Sequence, residues 1–332
     1  MEAIPETILD TIRQAEKIVL LTHVFPDGDA LGSTLALRDI LESIGKKTLV
    51  FLEEPVSPLY TFMPGSDHVC IDIGEVKKFV ADRSSGLALL ISLDVGDKDR
   101  LGRHQDELTD LAPLLVIDHH LSYNIFGDYH LIEVGISSTG EIVYELALAL
   151  RASVALPAAK NLFVAICSDT GSFRYDSTRP RTMRIAADLL ELGVHPNEIS
   201  SALYDNASLP RLNLLKEVLD TLQLHADGRI AMAHLEDTML GRARADMNDA
   251  EGFVEYPRSL RKVEVAIFCK EHKDGHISVS LRSNGDFDVS EVARIFGGGG
   301  HRKAAGCRFW EEKLASVRHR VLEAVNARLA VV

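Results

Sequence analysis

The chain has 332 residues, 46% of them hydrophobic, with 49 acidic against 36 basic side chains and a formal net charge of −13. Such a length supports two domains, each with its own core, and the acidic balance argues against long duplex nucleic acid held by charge attraction. No apolar run approaches the roughly 20 residues needed to cross a bilayer, and residues 1–10 lack the basic start and apolar core of a secretory signal, so a cytoplasmic protein with no membrane partner is expected.

Residues 18–21 are an apolar run that reads as a buried strand, and residues 34–43 carry apolar side chains at helical spacing. Between them lies HVFPDGDALGS, which puts His23, Asp27 and Asp29 on a strand-to-helix turn. Pro26 and Gly28 shape the turn, and Asp29 is placed to cap the helix. Gly45 stops that helix, and residues 47–52 form a second strand, which completes a β-α-β unit. Helical and loop material follows to about Ser85. Residues 87–93 are a third apolar strand running directly into Asp94. Residues 113–117 repeat the device and run into Asp118, His119 and His120. Continuous apolar strands alternating with helices predict a parallel sheet covered on both faces. Ligands of such sheets bind beyond the carboxyl ends of the strands, where these acids would collect.

From Ser137 the pattern turns helical, over 139–151, 157–167 and 181–192, with Gly193 as a stop. The loop SDTGSFRY, residues 168–175, interrupts that run and carries Asp169. Residues 196–226 read as a helical connector, which gives an N-terminal domain at 1–195 and a smaller α/β domain at 227–332. In the latter, strands at 229–234, 263–268 and 276–281 alternate with helical segments at 250–260 and 288–296. The second segment runs into Gly297, Gly298, Gly299, Gly300 and His301, and a closing helix begins near Glu311. Four successive glycines are no use as core filler. The four cysteines, Cys70, Cys167, Cys269 and Cys307, are scattered without the close pairs of a zinc or redox motif, and are expected to be reduced and structural.

Singly, an Asp at a strand end is usually a loop or cap residue, and Asp-His-His could be a surface triplet. Together, Asp27, Asp29, Asp94 and Asp169 at one sheet edge would repel one another unless cations neutralise them. Two divalent ions would cancel four charges. A ligand set of carboxylates with His23 and His119 suits Mn²⁺ better than Mg²⁺. Such an ion pair activates water and stabilises both oxygens in phosphoester hydrolysis.

On HVFPDGDALGS, the strand ending in Asp94, Asp118-His119-His120, SDTGSFRY and GGGGHRKAAG, the chain resembles the DHH phosphoesterase superfamily, in the branch with a C-terminal DHH-associated domain. Within it, the similarity is greatest to the oligoribonucleases that also act as 3′-phosphoadenosine 5′-phosphate phosphatases, the nanoRNases. The resemblance implies two Mn²⁺, with Mg²⁺ or Co²⁺ as substitutes. His23, Asp27 and Asp94 would hold one ion, and Asp29, Asp94, His119 and Asp169 the other. It further implies that Asp118 orients the neighbouring histidine, that His120 lies by the scissile phosphate, and that Gly298, Gly299, Gly300 and His301 clamp the substrate. Arg282, at the end of a strand in the same domain, is expected as a second contact to phosphate or base. For Arg174, Arg302 and Lys303, binding and solvated surface are equally open. A chain of this length is expected to lack the extra nucleic-acid-binding domains of RecJ-like exonucleases, and its glycine-rich His loop is foreign to family II inorganic pyrophosphatases. The expected substrates are short RNA and small nucleotides. A cyclic or linear dinucleotide phosphodiesterase and a non-catalytic nucleotide-binding regulator are the alternatives. The resemblance also admits a homodimer.

Overall fold

The computed structural model describes residues 3–82, 84, 86–120, 126–205, 207–300 and 302–329. The chain divides into two units, 1–206 and 207–332.

The first unit comprises α1 (Glu6–Gln14), β1 (Lys17–Leu21), α2 (Gly28–Ser43), β2 (Lys47–Phe51), α3 (Ile73–Ala81), β3 (Ala88–Leu93), α4 (Gln105–Leu111), β4 (Leu114–Asp118), β5 (Tyr129–Ile132), α5 (Thr139–Leu150), α6 (Leu156–Asp169), α7 (Pro180–Glu191) and α8 (Pro196–Tyr204). Its five strands form a parallel sheet in the order β2-β1-β3-β4-β5. Alternate residues of each strand face opposite layers. Ile18, Leu20, Leu89, Ile91, Leu115 and Ile117 join the core under α1, α2, α5 and α6, while Val19, Leu21, Leu90, Leu114 and Val116 meet α3 and α4. Burial on both faces is what the uninterrupted apolar runs demand.

Strand order reverses between β1 and β3, the place where parallel sheets open a crevice. Leu21 pairs with Ser92 and Leu93 with Ile117, so His23, Asp94 and Asp118 leave the sheet at nearly one level. The register alone collects them.

The sequence reading missed α1 and β5, the latter an edge strand whose Tyr129 and His130 are exposed and which therefore lacks the apolar run of the others. It also began the helix after β1 too late. That helix starts at Gly28, not near residue 34, because Asp27 and not Asp29 is its N-cap, accepting from the N–H groups of Asp29 and Ala30 at 3.0 Å each.

The second unit contains α9 (Leu209–Asp220), β6 (Gln223–His225), β7 (Ile230–Leu235), α10 (Asp237–Ala243), α11 (Glu255–Arg258), β8 (Val265–Glu271), β9 (Ile277–Ser283), α12 (Val289–Ile295), β10 (Gly299–Gly300), β11 (Ala304–Phe309) and α13 (Leu314–Leu329). They build a mixed sheet ordered β10-β11-β9-β8-β7-β6. One face packs on α12 and α13 through Val279, Leu281, Val317 and Val321. On the other, Ala231, Ala233, Ala266 and Phe268 of β7 and β8 pack on α9 and α10. The segment expected as a connector is shared out, α8 lying in the first unit and α9 in the second. The expected helix at 250–260 is replaced by a short turn of helix at Met247–Ala250 and by α11, since Gly252 with φ +76° and Pro257 break its continuity. All four cysteines are free, and burial pushes the thiols of Cys167, Cys269 and Cys307 up to about 12. Among the described residues, no helix is long and apolar enough to cross a membrane.

Helices α2 and α6 approach closely because Gly32 has no side chain: a Cβ there would lie 2.6 Å from the carbonyl oxygen of Asn161 and 3.0 Å from Ala165 Cβ. Gly→Ala inside a helix ordinarily gains about 0.5–1 kcal/mol. At this position the sign is expected to reverse, because backbone must move: Gly32→Ala should lower stability by about 1–3 kcal/mol, read as a reduced urea midpoint at unchanged slope. A midpoint equal to or above that of the wild type would contradict this packing.

Candidate active site

Beyond β1, the Thr22 hydroxyl donates to the Leu93 carbonyl at 2.8 Å and ties the two strand ends together. The next residue, His23, is buried, with Nδ1 2.9 Å from the Val24 carbonyl oxygen and Nε2 3.7 Å from Asp94 Oδ2. Asp94 takes a positive φ of 61°, a conformation a short polar side chain tolerates best, and its N–H donates to the Ile117 carbonyl. Its carboxylate is the hub. Oδ1 accepts from the Thr139 hydroxyl at 3.0 Å and lies 3.5 Å from His119 Nε2 and 3.4 Å from His120 Nδ1.

Asp29 sits in the first turn of α2 and is fully buried. Its oxygens accept from the N–H groups of Thr139 and Gly140 at 2.8 and 3.0 Å and from the Ser33 hydroxyl at 3.0 Å. Far from capping its own helix, it meets the N-terminus of α5, whose unpaired N–H groups favour an anion. Asp169 ends α6 and brings Oδ2 to 3.4 Å from His119 Nε2, which is also 3.5 Å from Asp29 Oδ2. Two candidate ligand groups result, His23 with Asp27 and Asp94, and Asp29 with His119 and Asp169, each with donor atoms within 4.8 Å of one another; Asp94, His119 and His120 form a third such group.

Asp118 behaves differently from the expectation that it orients the histidine next to it. Its Oδ1 accepts from the ring of His120 at Nδ1, 2.7 Å away, and from the backbone N–H groups of His119 and His120 at 2.8 and 3.2 Å. The His119 ring instead turns Nδ1 towards the Ile136 carbonyl at 3.3 Å. The backbone at His119 and His120 turns its N–H groups to the Asp118 carboxylate, which puts the ring two residues on, not the adjacent one, within reach.

Burial raises Asp29 well above the usual carboxylate range, helped by the charges of Asp94, Asp169 and Asp27. Asp169 is pushed up to about 6 by burial and by Asp94 and Asp27, against the pull of His119. Burial acts on Asp94 in the same direction, but His120, His23 and His119 override it and hold the group well below the usual range. For His120, burial opposes the imidazolium, yet Asp94 and Asp118 lift it to about 9. Nε2 of His23 is buried without a hydrogen-bond partner. An orphaned imidazole nitrogen beside carboxylates that resist joint ionisation fits a divalent cation, for which nitrogen and oxygen are suitable donors.

The sequence pattern of the DHH family, N-terminal domain, matches residues 17–168, and that of the DHHA1 domain matches residues 228–327. The chain is 30% identical over 324 residues to the bifunctional oligoribonuclease and PAP phosphatase NrnA of Thermus thermophilus, covering 94% of this chain and 90% of that one. The chain belongs to the DHH family of phosphoesterases. The NrnA of Bacillus subtilis is 26% identical, covering 92% and 94% of the two chains. A crystal structure of an exopolyphosphatase-related protein from Bacteroides fragilis superposes with a TM-score of 0.89 at 28% identity over 99% of both chains.

In this DHH phosphoesterase the glycine-rich run divides by cause. Gly297, φ +72°, and Gly298 close α12 by donating to the carbonyls of Arg294 and Ala293, the usual left-handed helix ending. A Cβ on Gly298 would lie 2.1 Å from the Gly306 carbonyl oxygen, and Gly300 takes φ +132° and would bring a Cβ to 2.5 Å from the Ala304 carbonyl oxygen. Gly299 is exposed and has open space where a side chain would sit. His301 lies outside the described residues. Arg282, on β9 opposite Ala304, donates from Nε to Glu255 at 3.0 Å. Arg174 donates to the Gly171 carbonyl and Arg302 to that of Asp286, each at 2.6 Å. The Lys303 carbonyl accepts from the Ser283 N–H at 3.0 Å. The residues that sequence reasoning passed over are Ser33, Thr139 and Gly140. The spacing Ser138-x-x-Glu141, with Ser138 accepting from the Glu141 N–H, marks a helix start and hence a cluster of N–H groups seeking an anion.

Carboxyls held above their ordinary pKa keep their protons in the folded chain where the unfolded chain has lost them. Their contribution is therefore greatest at low pH and falls as pH rises through about 6 for Asp169. Metal-free Asp169→Asn is expected to be more stable than metal-free wild type near pH 7 and to lose that advantage near about pH 4.5. Thermal unfolding in chelator checks this, and an equal difference at both pH values would count against it. Adding Mn²⁺ should stabilise the wild type more than the variant.

Proposed function

We propose that this DHH phosphoesterase hydrolyses short oligoribonucleotides to mononucleotides and 3′-phosphoadenosine 5′-phosphate to AMP, with two Mn²⁺ as its ions. The observation that carries the reading is the convergence of His23, Asp27, Asp29, Asp94, His119 and Asp169 at the carboxyl end of one parallel sheet, with Asp94 shared between the two halves. Relatives named as bifunctional oligoribonuclease and PAP phosphatase, at 26–30% identity over nine-tenths of the chain, support the substrate class.

When bound, the ions would supply activated water and neutralise charge on the phosphoryl oxygens. The residues do the rest. Asp94 bridges the two ligand groups, and Thr139 holds its Oδ1 in place. His120, kept protonated by Asp94 and Asp118, presents a positive edge to the phosphoryl oxygens as charge builds in the transition state. Asp118 fixes the ring by its Nδ1. To Arg282, Gly298, Gly299, Gly300 and His301 we assign the nucleotide, since backbone without side chains allows close approach and a guanidinium suits phosphate. The −13 chain disfavours a long polyanion away from such contacts.

Asp94→Asn keeps the shape and tolerates the positive φ, so circular dichroism is expected to be unchanged. Turnover should fall by roughly 10³-fold or more, together with bound metal. The substrate class is read from product release with RNA oligomers of two to about twenty-four nucleotides and the bisphosphate, in chelator and in restored Mn²⁺. Dinucleotides and the bisphosphate should be the fastest. Equal rates at every length would overturn the short-substrate reading, and preference for a cyclic dinucleotide would replace it. Gly299→Ala, which meets no atom, is expected to leave the melting temperature unchanged and raise KM, whereas Gly298→Ala should unfold the second unit at lower temperature.

A further inference from the structure

We propose that Arg100 binds the scissile phosphoryl group of the substrate beside His120, an assignment that rests on the reading above of this cluster as the place where the phosphoester is cleaved. Arg100 lies on the segment that leaves β3 after Asp94, in a short turn of helix at Lys98–Leu101. Its backbone is anchored on both sides. The N–H donates to the Asp97 carbonyl at 3.0 Å, the carbonyl accepts from the Val24 N–H at 2.9 Å, and the side chain of Leu101 is buried. Val24 follows His23, so this bond fixes Arg100 against the turn that carries the first ligand group. The start of the same segment lies against the histidine, since a Cβ on Gly96 would stand 3.3 Å from His120 Cβ and 3.5 Å from Asp118 Oδ2. The segment from Gly96 to Arg100 thus runs from His120 to the His23 turn.

The cations of this stretch are not treated alike. Lys98 meets Asp106 at 2.7 Å, and Arg103 meets Glu53 and Glu54 at 3.6 and 3.7 Å. Arg100 is half-buried, yet among the described residues its guanidinium has neither a hydrogen bond nor an ion pair, although Asp97 and Asp99 belong to the same turn. Burying a charge without a partner is costly, and a guanidinium has five N–H donors to satisfy. Placement adds to the cost, because burial and the charge of Arg100 both act against the imidazolium of His120, which Asp94 and Asp118 overcome. A phosphoryl group that reaches both side chains removes these penalties together. It supplies the oxygens that the guanidinium lacks, and a planar fork accommodates two of them at once. The acids of the cluster call for cations, and Arg100 beside His120 calls for an anion; a phosphoester brought to bound cations meets both demands. Every phosphoester substrate presents this group, so the contact reads neither base nor chain length.

The test compares Mn²⁺-loaded wild type with Arg100→Gln, Arg100→Lys and Arg100→Ala on a diadenosine dinucleotide and on 3′-phosphoadenosine 5′-phosphate, with inorganic phosphate as the competing anion. Arg100→Gln should lower kcat/KM about 100-fold on both substrates alike and raise the inhibition constant of inorganic phosphate about tenfold, with bound Mn²⁺ and melting temperature as in the wild type. Arg100→Lys, which keeps the charge and loses the fork, should recover part of the loss. Guanidinium ion at millimolar concentration should partly restore Arg100→Ala and leave the wild type unchanged, a rescue that a packing role would not show. A loss confined to the bisphosphate would move Arg100 to the phosphate that is not cleaved and overturn the assignment. Bound metal below that of the wild type, or a lower melting temperature without rescue, would overturn it by making Arg100 structural. Wild-type rates with an unchanged phosphate inhibition constant in Arg100→Gln would overturn the role of Arg100 alone. Failure of the wild type to cleave either substrate would overturn the function proposed above, and this assignment with it.

Discussion

The mutual repulsion of carboxylates gathered in a buried place governs the first unit. Asp29 and Asp94 are almost wholly out of water, and Asp27 and Asp169 stand beside them. A site of this kind is costly to keep folded, and the fold meets the cost with groups of opposite polarity. The N–H groups at the start of α5 face Asp29, the Thr139 hydroxyl faces Asp94, and three histidines surround the cluster. These contacts do not complete the compensation. Asp29 and Asp169 still resist ionisation, and that residual deficit of positive charge is what makes the cluster a receptor for cations.

Much of the architecture reads as a means of holding those acids at one level. The strand register puts His23, Asp94 and Asp118 at the same height above the sheet. Close helix packing supplies the others: Gly28 and Gly32 admit α6 to α2, and Gly140 admits α5, since a Cβ at Gly140 would lie 2.6 Å from that of Ala165. Asp29, Asp169 and Thr139 belong to three helices whose separation is set by absent side chains. Precision in the site therefore depends on glycines that touch no ligand, which is the general requirement for a preorganised charge cluster.

The second unit uses glycine for other reasons. Its sheet carries a two-residue edge strand, β10, laid against β11 so closely that Gly298 and Gly300 can have no side chains. Of the glycines in β10 and the turn before it, Gly299 alone is unconstrained by its own domain, and a bare backbone there remains available for a ligand.

The alternation of apolar runs with acid-bearing strand ends was enough, from sequence, to establish a parallel sheet with its acids at one edge, because period and run length follow directly from burial on both faces. The residue types at Asp27, Asp29, Asp94, His119 and Asp169 likewise pointed to cations, since like charges in one place require them. What each acid does locally was not legible. Asp27, not Asp29, caps the helix, and Asp118 grips the ring of His120 in place of that of His119, because capping depends on where a helix starts, which period alone locates only to within a turn or so. Thr139 and Gly140 stayed hidden for a different reason: they reach Asp29 and Asp94 from the far side of a packed interface up to 111 residues away in the chain, and only the tertiary approach of α2, α5 and α6 turns a helix start into half of a charge site.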